Sequence, residues 1–356
     1  MEIRRILVRG KLDVILETSE IPDRPQTGEI LIETEKTFIS AGTELANYTA
    51  LDPTVSTAGA WNSYPWPSGY ANVGRVVAIG EKIEGLATGD RVFTFGKHAS
   101  HHYADLLDPS AIAAQVQESG RGATSDMVVK IPDGVSSEDA AAARMAGVAI
   151  TALRVSTAQA GDWVVVFGLG MVGNLAAQYF SIQGCNVIGV DPMPARRDLA
   201  QKIGIEHVVG GSPEEARAAI MELTAGRGVD VAIDAAGDSL VVEQAGQVAA
   251  HAGEVIILGS PRERHDGNMT SLIRPVHWDF VKFKGALEWQ FPRYPIRGQR
   301  HSTYSNIRTY LELMARGKLK LGELISHRMR PEEIESAYEN LLNDKEHYWG
   351  VILDWT

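Results

Sequence analysis

Three glycines, Gly168, Gly170 and Gly173, follow directly on the apolar run Val164-Val165-Val166-Phe167, and Asp191 lies eighteen residues beyond the last of them. The apolar run reads as a strand buried on both faces. Each glycine of a G-x-G-x-x-G turn has its own task. One makes the tight turn, one lets the backbone approach a pyrophosphate, and one allows helix and strand to pack closely. A helix-compatible run, Asn174 to Gln183, follows at once, so a diphosphate would rest on the free N–H groups at the helix start, among Leu169, Met171 and Val172. Glycine-rich turns of this spacing are common by themselves. Here a second strand, Asn186 to Val190, ends in Asp191, whose carboxylate would accept from the adenosine ribose hydroxyls and repel a 2′-phosphate. The pattern predicts a dinucleotide site with NAD(H) favoured. Arg196 and Arg197 keep NADP(H) open, because an arginine shortly after this strand receives the extra phosphate.

The surrounding elements set the frame for this turn. From Asp162 onward strands at 163–167, 186–190, 206–209, 229–234, 253–258 and 280–286 alternate with helices at 171–183, 195–203, 213–225 and 239–250, which predicts a parallel, doubly wound sheet. Residues 1 to about 135 read as short strands with glycine- and proline-rich turns: Leu12 to Ile21, Glu29 to Ile39, Val73 to Ile79 and Arg91 to Phe95. An alanine-rich helix is expected over Asp139 to Leu153, and helices over Tyr304 to Arg316 and Pro331 to Asn343 precede a last strand, Gly350 to Asp354. Asp108 to Asp126 shows no period and reads as a loop or lid.

With 356 residues the chain can build two domains. Its 44% hydrophobic and 22% charged content is that of a globular protein, and no apolar run approaches a bilayer span. A net charge of −11 argues against nucleic acid and anionic membranes as main partners. The first residues alternate like a strand rather than a signal peptide, and the single cysteine, Cys185, fits a reducing cytoplasm and reads as a core thiol.

On Gly89-Asp90-Arg91-Val92, the Gly168–Gly173 turn, the run Gly228 to Gly237 and the run Gly253 to Gly259, the chain resembles the medium-chain dehydrogenase/reductase superfamily, the zinc-type alcohol dehydrogenases, over nearly its whole length. The resemblance implies an α/β protein. Residues 1–147 and 290–356 would form a GroES-like β-barrel catalytic domain, and residues 148–289 a doubly wound, parallel-sheet Rossmann domain, with the substrate cleft at their junction. It also implies nicotinamide-side contacts from Ala235, Ala236 and Gly237, from Gly259, Ser260 and Pro261, and from Leu287 and Trp289, and a homodimer or homotetramer built through Rossmann edge strands. Members often place an arginine near the C-terminal strand to meet the pyrophosphate, where this chain has Trp349.

The chain departs from the zinc-dependent members at the chemical centre. Ala41, Gly69-Tyr70-Ala71 and Ala143 stand where those members carry the cysteine, the Gly-His-Glu and the third ligand. Alanine offers no lone pair, and a catalytic zinc needs about three protein ligands. No metal is expected there. Something else must then hold the substrate oxygen and move its proton. Thr43 falls at the family's proton-relay hydroxyl. Tyr70 replaces the ligating histidine, either as proton donor and acceptor or as a plug filling the zinc volume. His98, first of the cluster His98-Ala99-Ser100-His101-His102, is the other acid/base candidate, and a metal site in which His98 and His101 share a helix face is the weaker reading. Glu44 either assists or pairs with an arginine such as Arg75. Trp61, Tyr64, Trp66, His277, Trp278, Glu288 and Trp289 suit a sugar-like substrate or an interface equally well.

These residues predict a zinc-independent NAD(H)-dependent oxidoreductase acting on a secondary alcohol or ketone of a small polyhydroxylated molecule. The Thr43-Glu44 and Gly69–Gly74 segments are similar to those of the bacteriochlorophyllide a dehydrogenase-like branch. A quinone or enoyl reductase, and a non-catalytic dinucleotide-binding sensor, are the alternatives.

Overall fold

The structure, a computed structural model, describes residues 1–106, 127–262 and 265–356, so the expected lid at Asp108 to Asp126 and the Glu263-Arg264 pair lie outside the described residues. The chain divides into two units. The first is Met1–Arg144, Phe291–Gly317 and Ile325–Thr356, and the second is Met145–Gln290 with Lys318–Leu324. The sequence assigned all of 290–356 to the first domain. Lys318–Leu324 instead belongs to the second, because Gln178 donates to the Lys320 carbonyl (2.9 Å) and accepts from the Lys320 N–H (2.8 Å).

In the first unit the opening strands are β1 (Glu2–Gly10), β2 (Asp13–Glu20), β3 (Glu29–Phe38), β4 (Trp66–Pro67), β5 (Asn72–Ile79), β6 (Arg91–Thr94), β7 (His101–Asp105) and β8 (Val128–Lys130). Strand β3 is the hub. It pairs antiparallel with both β5 and β7, and its pairing with β5 shifts register at Leu31/Ile32 and Thr34/Lys36. Its inward residues Ile30 and Ile32 pack with Val76, Val92 and Ala104 into one core.

The second unit contains β9 (Trp163–Phe167), β10 (Asn186–Val190), β11 (His207–Val209), β12 (Val229–Asp234), β13 (Ala249–Ile257) and β14 (Lys282–Gly285) in the order β11-β10-β9-β12-β13-β14, all parallel. Val164, Val165 and Val166 are wholly buried, as an apolar run in a sheet covered on both faces must be. The chain then returns to the first unit with β15 (His327–Met329) and β16 (Val351–Asp354), and β16 pairs with β3.

Four local features differ from expectation. Asp139 to Leu153 is not one helix but two, Ser137–Ala141 and Ala143–Val155, broken at Ala142. The residues after Ser40 form a helix, Ala41–Tyr48, and a further helix runs over Met269–Trp278 despite Pro275. His98 and His101 do not share a helix face, since His101 opens β7 and His98 lies in the turn before it.

Candidate active site

The short helix Ala41–Tyr48 carries a carboxylate into the core of the first unit. Glu44 is wholly buried, and an isolated charge there would cost several kcal/mol. Three donors compensate it. Its Oε1 accepts from the Ser40 N–H (2.8 Å), and its Oε2 accepts from the Tyr338 hydroxyl (2.7 Å) and lies 2.9 Å from His98 Nε2. Burial pushes this carboxyl up, but the His98 charge and the hydrogen bonds from His98, Tyr338 and Ser40 outweigh it and hold the carboxyl below the usual glutamate range. An ionised carboxylate only accepts, so the His98 proton sits on Nε2. His98 in turn packs against Gly69, whose φ of +90° suits glycine, and a Cβ there would stand 2.5 Å from the His98 backbone nitrogen.

The residue after Gly69 is Tyr70. Its ring is partly exposed, and its hydroxyl donates to Ser40 Oγ and is bonded to Thr43. Burial raises the phenol above its ordinary range and the Glu44 carboxylate adds to this, whereas the Arg144 guanidinium and the two hydroxyls pull it down. Of the four candidates for proton chemistry, Tyr70 and Thr43 thus meet each other near the surface, while Glu44 and His98 are enclosed and bonded together. Glu44 does not pair with Arg75, which reaches Glu35 instead (3.1 Å). The other two histidines of the cluster diverge: His102 lies 2.9 Å from Thr94 Oγ1, its imidazole lowered by burial to about 4, and His101 lies 4.0 Å from Glu33. Trp66 is a core residue packed edge-on by exposed Trp61, and Tyr64 is tied to the Asn47 carbonyl. Ser40 and Tyr338 were not singled out from the sequence. The signal for Ser40 was Glu44 itself, a carboxylate four residues on that reaches back to the residue before the helix, in the manner of a capping box.

In the second unit the glycine turn joins β9 to the helix Met171–Gln183. Gly168 has φ +91° and lies against Ala235 and Ala236, and a Cβ on Gly173 would stand 1.8 Å from the Gly168 carbonyl oxygen. A Cβ on Gly170 would meet nothing within 4 Å, and no side chain caps the helix start there. This open backbone and uncapped helix start fit a diphosphate. Asp191, at the end of β10, is buried and accepts from the Leu169 N–H (2.8 Å) and the Met193 N–H (2.9 Å). Arg196 lies 3.7 Å from it, while Arg197 donates to the carbonyls of Asp191 and Pro192. Asp234, raised by burial to about 6, holds the neighbouring turn by accepting from the Ala236 and Gly237 N–H groups (2.9 Å each). Gly259 touches that turn, since a Cβ on it would stand 2.2 Å from the Gly237 nitrogen, and Ser260 and Pro261 follow it at the surface. Leu287 and Trp289 are exposed on either side of buried Glu288.

A model of the zinc-binding dehydrogenase family matches residues 171–277. An uncharacterised zinc-type alcohol dehydrogenase-like protein of Haemophilus influenzae is 24% identical over 98% of both chains, and the (R,R)-butanediol dehydrogenase of Bacillus subtilis is 32% identical over 54% of this chain and 58% of its own length. An Escherichia coli oxidoreductase of unknown specificity shares the fold at a TM-score of 0.80, with 18% identity and 99% of each chain covered. Residues 171–277 thus match the zinc-binding dehydrogenase family, and over its whole length the chain is similar to a zinc-type alcohol dehydrogenase-like protein. The metal in that family's description does not suit the residues at positions 41, 70 and 143. Ala41 and Ala143 have no donor atom, the Tyr70 hydroxyl is bonded to Ser40, and among the described residues no three His, Cys, Asp or Glu side chains converge on a common point.

Three substitutions test this geometry. Gly173→Ala should destabilise the fold by about 1–3 kcal/mol through overpacking. Gly170→Ala should leave thermal stability nearly unchanged and weaken dinucleotide binding, as read by a fluorescence titration. Tyr338→Phe should cost about 1.5–3 kcal/mol by removing a donor from a buried carboxylate. Because the Glu44 pKa is depressed in the folded state, its contribution is present above the ordinary glutamate range and is lost as pH falls through the folded value. Acid unfolding of Tyr338→Phe, followed by circular dichroism, should therefore begin at higher pH than that of the parent.

Proposed function

We propose that this protein is a zinc-independent, NAD(H)-dependent oxidoreductase that moves hydride between the nicotinamide and the carbon of a secondary alcohol or ketone, on a small polyhydroxylated substrate. The observation that carries the reading is the Tyr70 phenol bonded to Ser40 and Thr43 where metal-dependent relatives would present a ligand. Bound at the Gly168–Gly173 turn, the dinucleotide supplies the hydride carrier. Asp191, aimed at that turn by the Leu169 and Met193 N–H groups, favours ribose hydroxyls over a 2′-phosphate.

Tyr70 handles the proton. Burial keeps its phenol protonated at neutral pH, so it donates to a carbonyl oxygen as that oxygen gains negative charge, and Thr43 orients the hydroxyl or relays the proton. In the oxidation direction the ionised phenol accepts the alcohol proton. Reduction should hold its rate through neutral pH and fall only as pH rises through the raised phenol value, whereas oxidation should rise about tenfold per pH unit below it. A cytoplasmic homodimer or homotetramer belongs to the same reading, supported by exposed Met269, Ile273 and Trp278 on the helix before the sheet-edge strand β14.

Steady-state turnover with NAD and NADP over a panel of polyols, sugars and secondary alcohols, and of the ketones in reverse, tests the proposal. Tyr70→Phe should lower kcat by about 10²- to 10⁴-fold. Asp191→Ser should move the ratio of affinities toward NADP(H) by about tenfold or more, as loss of about 1.4 kcal/mol of like-charge repulsion requires. The reading fails if no substrate turns over, which favours a dinucleotide sensor, or if the parent binds NADPH more tightly than NADH, which favours a quinone or enoyl reductase.

A further inference from the structure

We propose that Arg144 is a positioning residue for proton transfer at Tyr70, its guanidinium stabilising the phenolate that forms when Tyr70 gives up its proton. The inference rests on the reading of Tyr70 as the proton handler. Arg144 is buried, and its guanidinium carbon lies 5.2 Å from the centroid of the Tyr70 ring and 4.8 Å from that of Phe95. The negative faces of the two rings offset part of the desolvation of this cation. The arrangement serves one protonation state of Tyr70 more than the other. A cation facing an aromatic ring gains modestly while the phenol is neutral and gains much more once the ring carries a full negative charge.

The groups facing Tyr70 come from several elements. Arg144, at the start of the helix Ala143–Val155, favours the phenolate, and the Ser40 and Thr43 hydroxyls, at the start of the helix Ala41–Tyr48, solvate it. Glu44 opposes it, and the Tyr338 phenol, the other titratable group coupled to Tyr70, is itself bonded to Glu44. Tyr70 is thus set between a fixed anion, which keeps its proton on, and a fixed cation, which allows the proton to leave. In alcohol oxidation the alcohol O–H bond breaks, its proton joins the phenolate, and the hydride leaves carbon for the nicotinamide. The reverse step returns both. Arg144 takes no part in either bond change and acts only on the energy of the Tyr70 anion.

Two readouts test this on the full chain: the Tyr70 ionisation, followed by NMR of ¹³Cζ-labelled tyrosine with the signal assigned by its loss in Tyr70→Phe, and the pH profile of kcat/KM for oxidation. Arg144→Met should move the Tyr70 ionisation and the matching limb of the profile upward by about one pH unit or more. That shift is about a tenfold loss of phenolate at fixed pH. Arg144→Lys, which keeps the charge, should restore most of the shift, and it carries the test if Arg144→Met does not fold, by comparison with Arg144→Gln. A Tyr70 ionisation unmoved in the charge-removing variants, with turnover still dependent on Tyr70, overturns the proposal alone. Turnover that survives Tyr70→Phe overturns the reading of Tyr70 and this proposal together.

Discussion

A carboxylate with no access to water organises the first unit. Glu44 can stay ionised in the core only while the Ser40 N–H, His98 and Tyr338 all reach it, and these come from a helix start, the turn before β7 and the helix Ile334–Asn343. Removing one donor from such a site leaves the charge poorly compensated, which costs about 1.5–3 kcal/mol. The network therefore fixes more than itself. Ser40 is held by Glu44 and accepts from Tyr70, and Gly69 must be glycine for His98 to pack where it does. The position of the Tyr70 hydroxyl is a consequence of how a distant buried charge is satisfied.

The second unit rests on a different kind of constraint. At Gly173, Gly237 and Gly259 neighbouring backbone comes so close that a single Cβ would collide with it, and at Gly168 the approach is tight, whereas Gly170 faces open space. Contact and vacancy alternate along one turn. The close approaches hold β9, β12, β13 and the helix Met171–Gln183 together, and the open position leaves backbone free for a ligand. Asp191 adds an acceptor aimed at the same turn by backbone donors rather than by long side chains. One unit is built by steric exclusion and the other by charge compensation. The first kind leaves a pattern in the chain and the second does not.

This contrast explains what could be read in advance. The β9 strand, the glycine spacing, the following helix and Asp191 all lie within one short stretch, and the alternation of strands and helices after Asp162 follows from local apolar periods. The misses share a cause. Helix Ala41–Tyr48 hides in a stretch whose residues invite comparison with a metal site, and helix Met269–Trp278 contains Pro275, which ordinarily argues against a helix. Lys318–Leu324 joins the second unit through Gln178 and Lys202, both far away in the chain. His98, His101 and His102 stand close together in the chain, yet the three turn to three different partners.

The sequence by itself determined the superfamily resemblance, the order of the sheet-forming runs and the dinucleotide turn, because each depends on spacing between residues close in the chain. It also identified Tyr70 as the residue standing where a metal ligand is expected. Only the tertiary structure decided what surrounds that phenol. Glu44 and His98 prove to be a buried pair, Ser40 and Tyr338 join them, and Arg144 faces the Tyr70 ring. Satisfying a buried charge is a requirement of the whole unit, met by whichever donors the fold brings within about 3 Å, and no local pattern announces which those are.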